Sequence, residues 1–219
     1  MKNGAPLKNC ASLWMVLPLM VGLTGKTAHA SGTDEKVIVF VGDSLAQGYG
    51  VGSEEAFPAV AGRWLRAHGQ PVKIINAGVS GALSSAGASS LKWWLKSKPA
   101  VVVLELGAND GIKGTSIEAI KANLAKAIDL IKAEGAVPVL AGMKMFPNLG
   151  PEYARAFAAL YPSLAREKKI ALIPFLLAGV AADARFNQSD GKHPNAEGHR
   201  IIGESVGAFL DKILTDGKK

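Results

Sequence analysis

Lys36-Val37-Ile38-Val39-Phe40-Val41-Gly42-Asp43-Ser44-Leu45 is an apolar, largely β-branched run that stops at a glycine, an acid and a hydroxyl. A strand with one face in water alternates apolar and polar residues. A run that is apolar at almost every position belongs instead to a strand covered on both faces, as in a parallel sheet. Pro71–Asn76, Ala100–Leu106, Ala136–Ala141 and Ile170–Pro174 have the same character. Helix-like segments separate these runs. The alternation predicts an open α/β sheet with helices on both faces. No internal repeat, long linker or low-complexity block interrupts it, and residues 31–219 are expected to form a single domain.

The plainest helix follows Thr115. Thr115 and Glu118 have capping-box spacing. Ile117, Ile120, Leu124, Ile128 and Ile131 then recur at three- and four-residue steps, giving one apolar stripe, and Gly135 supplies a stop. The last helix is expected to begin after Asn195, a good N-cap, with Ile202, Val206, Phe209 and Ile213 as its buried stripe. Gly203 and Gly207 weaken that helix unless a neighbour packs closely against them.

Residues 1–30 read as a secretory signal peptide. Lys2 and Lys8 form a positive start, Leu13 to Leu23 an apolar stretch, and Ala28-His29-Ala30 a small-residue cleavage site before Ser31. The stretch is shorter than the roughly 20 apolar residues that span a bilayer, so a periplasmic or secreted protein without stable membrane insertion is expected. Cleavage near Ala30 removes Cys10, the only cysteine, leaving neither thiol nor disulfide. The whole chain carries +7; Lys2, Lys8 and Lys26 lie in the leader, which has no acid, so the remainder carries +4. The remaining lysines are scattered. Nucleic-acid binders concentrate their charge in a stripe or patch, and no nucleic-acid partner is expected.

In sheets of this class, ligands bind beyond the carboxyl ends of the strands, near the point where strand order reverses. Every notable polar cluster falls there: Gly42-Asp43-Ser44 after the first strand, Gly78–Gly81 after the second, Gly107–Gly111 after the third, and Asp190–His193 before the last helix. Ser44 is a candidate nucleophile, provided that a base stands beside it. A strand-to-helix turn would expose its hydroxyl and aim backbone N–H groups at a developing oxyanion. Taken alone, Ser44 could equally be an N-cap. His193 is the candidate base and Asp190 the acid that could accept its Nδ1–H; Asp183 is the fallback acid, less suited because a helical segment is expected to hold it. His68 fits a helix end, where a cation suits the dipole, and His199 fits the surface or core of the last helix. The Asn109 amide can donate to an oxyanion, as can the backbone N–H of Gly81, although Gly81 also suits a plain turn.

As an ordered set, these segments resemble the SGNH-hydrolase superfamily, the GDSL esterases and lipases. Gly42-Asp43-Ser44-Leu45 matches its first block, Gly81 in Asn76-Ala77-Gly78-Val79-Ser80-Gly81 the second, Gly107-Ala108-Asn109-Asp110 the third, and Asp190-x-x-His193-Pro194 the fourth. The resemblance implies a triad of Ser44, His193 and Asp190, with an oxyanion hole of Ser44 N–H, Gly81 N–H and the Asn109 side chain. Asp43 and Asp110 are implied to be structural. It also implies a flavodoxin-like three-layer sandwich whose five-stranded parallel sheet has the order 2-1-3-4-5. Leu104-Glu105-Leu106-Gly107-Ala108-Asn109-Asp110-Gly111, Pro147–Tyr153 and Leu172–Phe175 look like the branch of periplasmic thioesterase I, lysophospholipase L and arylesterase. Ala108 stands where many members have glycine.

The activity so implied is hydrolysis of a small-molecule or lipid acyl ester or thioester, with no cofactor. No H-E-x-x-H and no cysteine remain after cleavage to suggest a zinc site. Acyl preference is weakly encoded. Ile112, Phe146, Leu149 and Tyr153, with Met143 and Met145, could line a groove or anchor a loop in the core. Trp93-Trp94 fits a helix with one ring inward and one outward. The alternatives are an acyltransferase or glycan deacetylase on the same triad, or a non-catalytic nucleotide- or carbohydrate-binding module. For the nucleotide reading, Gly48, Gly50 and Gly52 fall short of G-x-G-x-x-G, because Ser53 takes the last position.

Overall fold

The structure, a computed structural model, describes Met1, residues 35–145 and residues 149–216. The chain divides into two units, Met1–Gly32 and Thr33–Lys219, and the described architecture belongs to the second. The expected signal peptide with Cys10 and its cleavage site lies outside the described residues, as do Phe146 and Lys218-Lys219.

Five strands form one parallel sheet: β1 (Lys36–Gly42), β2 (Val72–Asn76), β3 (Val101–Glu105), β4 (Val137–Ala141) and β5 (Ala171–Ile173). Their order is β2-β1-β3-β4-β5, as the resemblance implied. Burial follows position. β3 is buried throughout and β1 over its last five residues, whereas β2, at the edge, is buried only at Val72. The continuous apolar runs of the central strands thus reflect layers on both faces.

The helices are α1 (Ser44–Gln47), α2 (Phe57–Ala67), α3 (Gly87–Trp94), α4 (Ala108–Ile112), α5 (Ile117–Ala133), α6 (Pro151–Lys168) and α7 (Ala196–Asp216). α2 packs on α7, while α5 packs against α3 and α6. The α2–α7 contact is close because Gly203 and Gly207 open the surface of α7. A β-carbon on Gly203 would run into Val60, and one on Gly207 would lie 2.9 Å from the Trp64 ring. These glycines also correct the expected stripe. The buried line runs through Ile202, Val206, Leu210 and Leu214, with Phe209 and Ile213 only half-buried, because α7 turns its two glycines toward α2.

A second correction concerns α5. Its N-cap is Ser116, whose hydroxyl accepts the Ala119 N–H, rather than Thr115. The backbone of Thr115 is already committed outside the helix: its N–H donates to Asp110 O and its carbonyl accepts the Tyr153 hydroxyl. The stripe of Ile120, Leu124, Ile128 and Ile131 is fully buried, and Gly135 follows the helix with φ of +77°. On the same face of the sheet as α5, Leu91 of α3 is buried, Trp94 is half-buried and Trp93 is 64% exposed. Asn195 caps α7 by accepting the Gly198 N–H.

Candidate active site

The order reversal lies between β1 and β3, and the polar segments gather there. In parallel register, Gly42 at the end of β1 stands beside Glu105 at the end of β3. The chain turns at once into α1, capped by Asp43, whose Oδ1 accepts the Leu45 N–H at 3.0 Å. Ser44 is therefore the first residue of α1, not its cap. The loop after β2 stays laddered to this turn. Ala77 N–H donates to Phe40 O, Val79 N–H donates to Gly42 O, and Asn76 Nδ2 donates to Ala46 O. Gln47 Oε1 accepts from both the N–H and the hydroxyl of Ser80. Gly81 follows with φ of +78°, a left-handed conformation suited to glycine. Among the described residues, neither the Ser44 nor the Gly81 N–H has an acceptor.

From the other end of the chain, the loop before α7 brings His193 to Ser44. Ser44 Oγ and His193 Nε2 are 3.0 Å apart, and His193 Nδ1 lies 2.5 Å from Asp190 Oδ2. Asp190 Oδ1 accepts the N–H groups of Lys192 and His193 at 2.9 and 3.0 Å. Hydrogen bonding to the imidazole, then to these two amides, holds the Asp190 carboxyl well below the usual carboxylate range. Asp183, the fallback acid, is elsewhere. It lies outside any helix, contrary to expectation, and forks onto Arg185 at 2.6–3.2 Å.

Asn109 sits on α4. Its Nδ2 donates to Asp43 Oδ2 and to Ala82 O, both at 3.1 Å. Two bonds occupy both amide protons, so donation to an oxyanion requires exchanging one of them. Asp43 is 1% exposed, and burial pushes its carboxyl up to about 6, against the opposing effect of the Leu45 amide. Asp110 accepts the Ser84 N–H and hydroxyl, tying the loop before α3 to α4.

Of the remaining candidates, Ile112 and Leu149 are exposed, while Tyr153 is half-buried and bonded to Thr115 O. Met143 is core. A separate cavity of about 550 Å³ lies beside Gly81, walled by Val41, Ala77, Ala86, Ser90 and Leu106 among others. His68 stacks on Trp64 at the end of α2, with ring centroids 3.6 Å apart. His199 is core. Its Nδ1 accepts the Phe57 N–H, and burial pulls it down to about 4.

Three residues at the site escaped the sequence reading. Tyr49 lies over the His193 ring, centroids 4.7 Å apart, and nothing in its spacing announces this. Gln188 Nε2 donates to Tyr49 O and Pro194 O, and a lone loop glutamine carries no signal either. Glu105 did leave a trace, as an acid inside the apolar run Ala100–Leu106.

The model of the GDSL-like lipase/acylhydrolase family matches residues 40–201, most of the chain. The chain belongs to that family. Among relatives, an arylesterase of Vibrio mimicus is 38% identical over 186 residues, covering 84% of this chain and 92% of that one. A protein of Escherichia coli (strain K12) named thioesterase 1/protease 1/lysophospholipase L1 is 33% identical over 190 residues, covering 86% and 88%. The psychrotrophic esterase EstA from Pseudoalteromonas sp., in a crystal structure inhibited by monoethylphosphonate, superposes with a TM-score of 0.78 at 27% identity, covering 83% of this chain and all of that one.

Proposed function

We propose that this chain is a carboxylic ester hydrolase with thioesterase capacity, working through Ser44, His193 and Asp190. The observation that carries the reading is the line from Ser44 Oγ through His193 to Asp190, 3.0 and 2.5 Å per step, drawn from segments 149 residues apart. Relatives named arylesterase and thioesterase support it.

In the first half-reaction, His193 Nε2 takes the Ser44 proton as Oγ attacks the acyl carbon. Asp190, held ionised, fixes the tautomer in which Nε2 is free to accept and stabilises the imidazolium that forms. The Ser44 and Gly81 amides are placed to receive the oxyanion. The Asn109 amide joins them by exchanging one of its present bonds. His193 then returns its proton to the departing alcohol or thiol, leaving an acyl group on Ser44. Water repeats the sequence, releasing the carboxylic acid and restoring Ser44. Ile112 and Leu149, apolar and exposed, are suited to an acyl chain, and small-molecule or lipid esters are the proposed substrates.

The N-terminal segment supports export, with the enzyme working in the periplasm or outside the cell as the single domain 31–219. N-terminal sequencing of the exported protein should begin at or near Ser31.

The decisive experiment is Ser44→Ala assayed on p-nitrophenyl butyrate, beside fluorophosphonate labelling of the wild type. Activity should fall by about 10⁴-fold or more, with folding intact by circular dichroism. Wild-type turnover by S44A, or a label attached elsewhere, would remove Ser44 from the mechanism.

A further inference from the structure

Glu105 ends β3 with none of its surface exposed. Its Oε2 accepts the Asp43 N–H at 3.1 Å and the Ala46 N–H at 3.3 Å. These two amides bracket Ser44. The neighbouring strand end is shaped around the same oxygen, since a β-carbon on Gly42 would run into Glu105 Oε2. Oε1 is equally buried and has no hydrogen-bond partner among the described residues. A carboxyl in this position carries a standing penalty. Burial, and then the nearby Asp43 carboxyl, push Glu105 well above the usual carboxylate range, toward the neutral acid. For burial alone, a leucine would serve better. What the carboxyl adds is an acceptor for two amides of the turn. Asp43, held at its N–H by Glu105, in turn receives Leu45 N–H and Asn109 Nδ2.

We propose that Glu105 is a positioning residue for the hydrolysis: Oε2 clamps the backbone on both sides of Ser44, aiming Oγ at His193, and through Asp43 it places the Asn109 amide. It touches no reacting atom. It acts through Ser44 and Asn109, and so rests on the reading of Ser44 as nucleophile. Displacement of a reacting group by about 1 Å can lower rates about 10²-fold, and that loss belongs in kcat, because the clamp lies beneath the turn rather than in the substrate path.

The test compares Glu105→Leu, Glu105→Asp and Glu105→Gln in the full chain, on p-nitrophenyl butyrate, with S44A alongside. E105L removes the acceptor and E105D withdraws it by one methylene. Each should lower kcat by about 10- to 100-fold with KM nearly unchanged, and should slow fluorophosphonate labelling of Ser44 in step. E105Q keeps an acceptor at the same reach and should return kcat to within about fivefold of wild type. Wild-type kcat in E105D or E105L, or a loss confined to KM, overturns the proposal. So does E105Q if it is as impaired as E105L or fails to fold, because the acceptor is then not what the position supplies. If E105L does not fold, E105D and E105Q decide between them. An S44A enzyme as active as wild type would instead refute the nucleophile assignment, a failure the Glu105 variants cannot produce.

Discussion

The Ser44 turn and the His193 loop meet at 3.0 Å but are built by different means. The Ser44 turn is a product of the sheet. It leaves a central strand, its backbone is laddered to the loop after β2, and buried carboxyls of Asp43 and Glu105 take its amides. The His193 loop lies outside the sheet and is held by its own local bonds, from the Asp190 carboxyl to the Lys192 and His193 amides and from Gln188 N–H to His193 O. The two Asp carboxyls record the contrast. Asp43, 1% exposed, is pushed up to about 6 by burial, while Asp190, whose side chain is 40% exposed, is pulled down by the donors around it. One residue type thus serves as a structural acceptor in one region and as a permanent anion beside the imidazole in the other. In the proposed mechanism, the charge that the reaction needs is kept where water and amides can support it.

Asp190→Asn tests the His193 side most severely. The substitution keeps size and backbone contacts but removes the anion proposed to orient and stabilise the imidazolium. A fall in kcat of about 10³- to 10⁴-fold is expected on p-nitrophenyl butyrate, with the thermal midpoint nearly unchanged because the side chain is half in solvent. A loss of less than about tenfold would reduce Asp190 to a loop anchor and leave the Ser44 side to explain the activity alone.

Asn109→Ala attacks the opposite side. Its amide is the one oxyanion candidate already bonded, to Asp43 and Ala82. Truncation should lower kcat by about 10²- to 10³-fold, or about 3–4 kcal/mol, with KM little changed. A change confined to KM would mean that the amide binds substrate and transition state alike and is no special donor to the oxyanion.

The same contrast decides what was readable in the sequence. β1 and β3 are buried on both faces, so their continuous apolar runs declared them, and the polar residues at their carboxyl ends declared the Ser44 side. His193 and Asp190 were legible for another reason: an imidazole and a carboxyl three residues apart in a loop form a local unit that needs no knowledge of the fold. What stayed hidden depends on packing between distant segments. Thr115 and Ser116 are equally good caps by composition, and the bonds that Thr115 gives to Asp110 O and accepts from the Tyr153 hydroxyl exclude it. The stripe of α7 could be drawn through Phe209 or Leu210 until α2 claimed the glycine face. Asp183 is a local exception: it looked helical but turns to grip Arg185, two residues on. Glu105 was visible as an acid in an apolar run, yet its partners, the Asp43 and Ala46 amides, lie in the turn and helix that follow another strand. Tyr49 and Gln188 touch the site only because the two regions meet.

Gln188 is where the regions are tied. Its side chain donates to Tyr49 O, on the Ser44 side, and to Pro194 O, just past the imidazole. Its backbone N–H donates to His193 O and survives substitution. Gln188→Ala therefore removes the tie between the regions without dissolving the loop. Each bond lost is worth about 0.5–1.5 kcal/mol, and the partners can turn to water, so a loss in kcat of about three- to tenfold is expected. Cooling should narrow the gap to wild type if the loop strays only by thermal motion. A loss as large as that of D190N would mean that the His193 loop has no stable geometry of its own and borrows it from the Ser44 side. No loss at all would mean that the Tyr49 ring against the imidazole is sufficient to hold the two together.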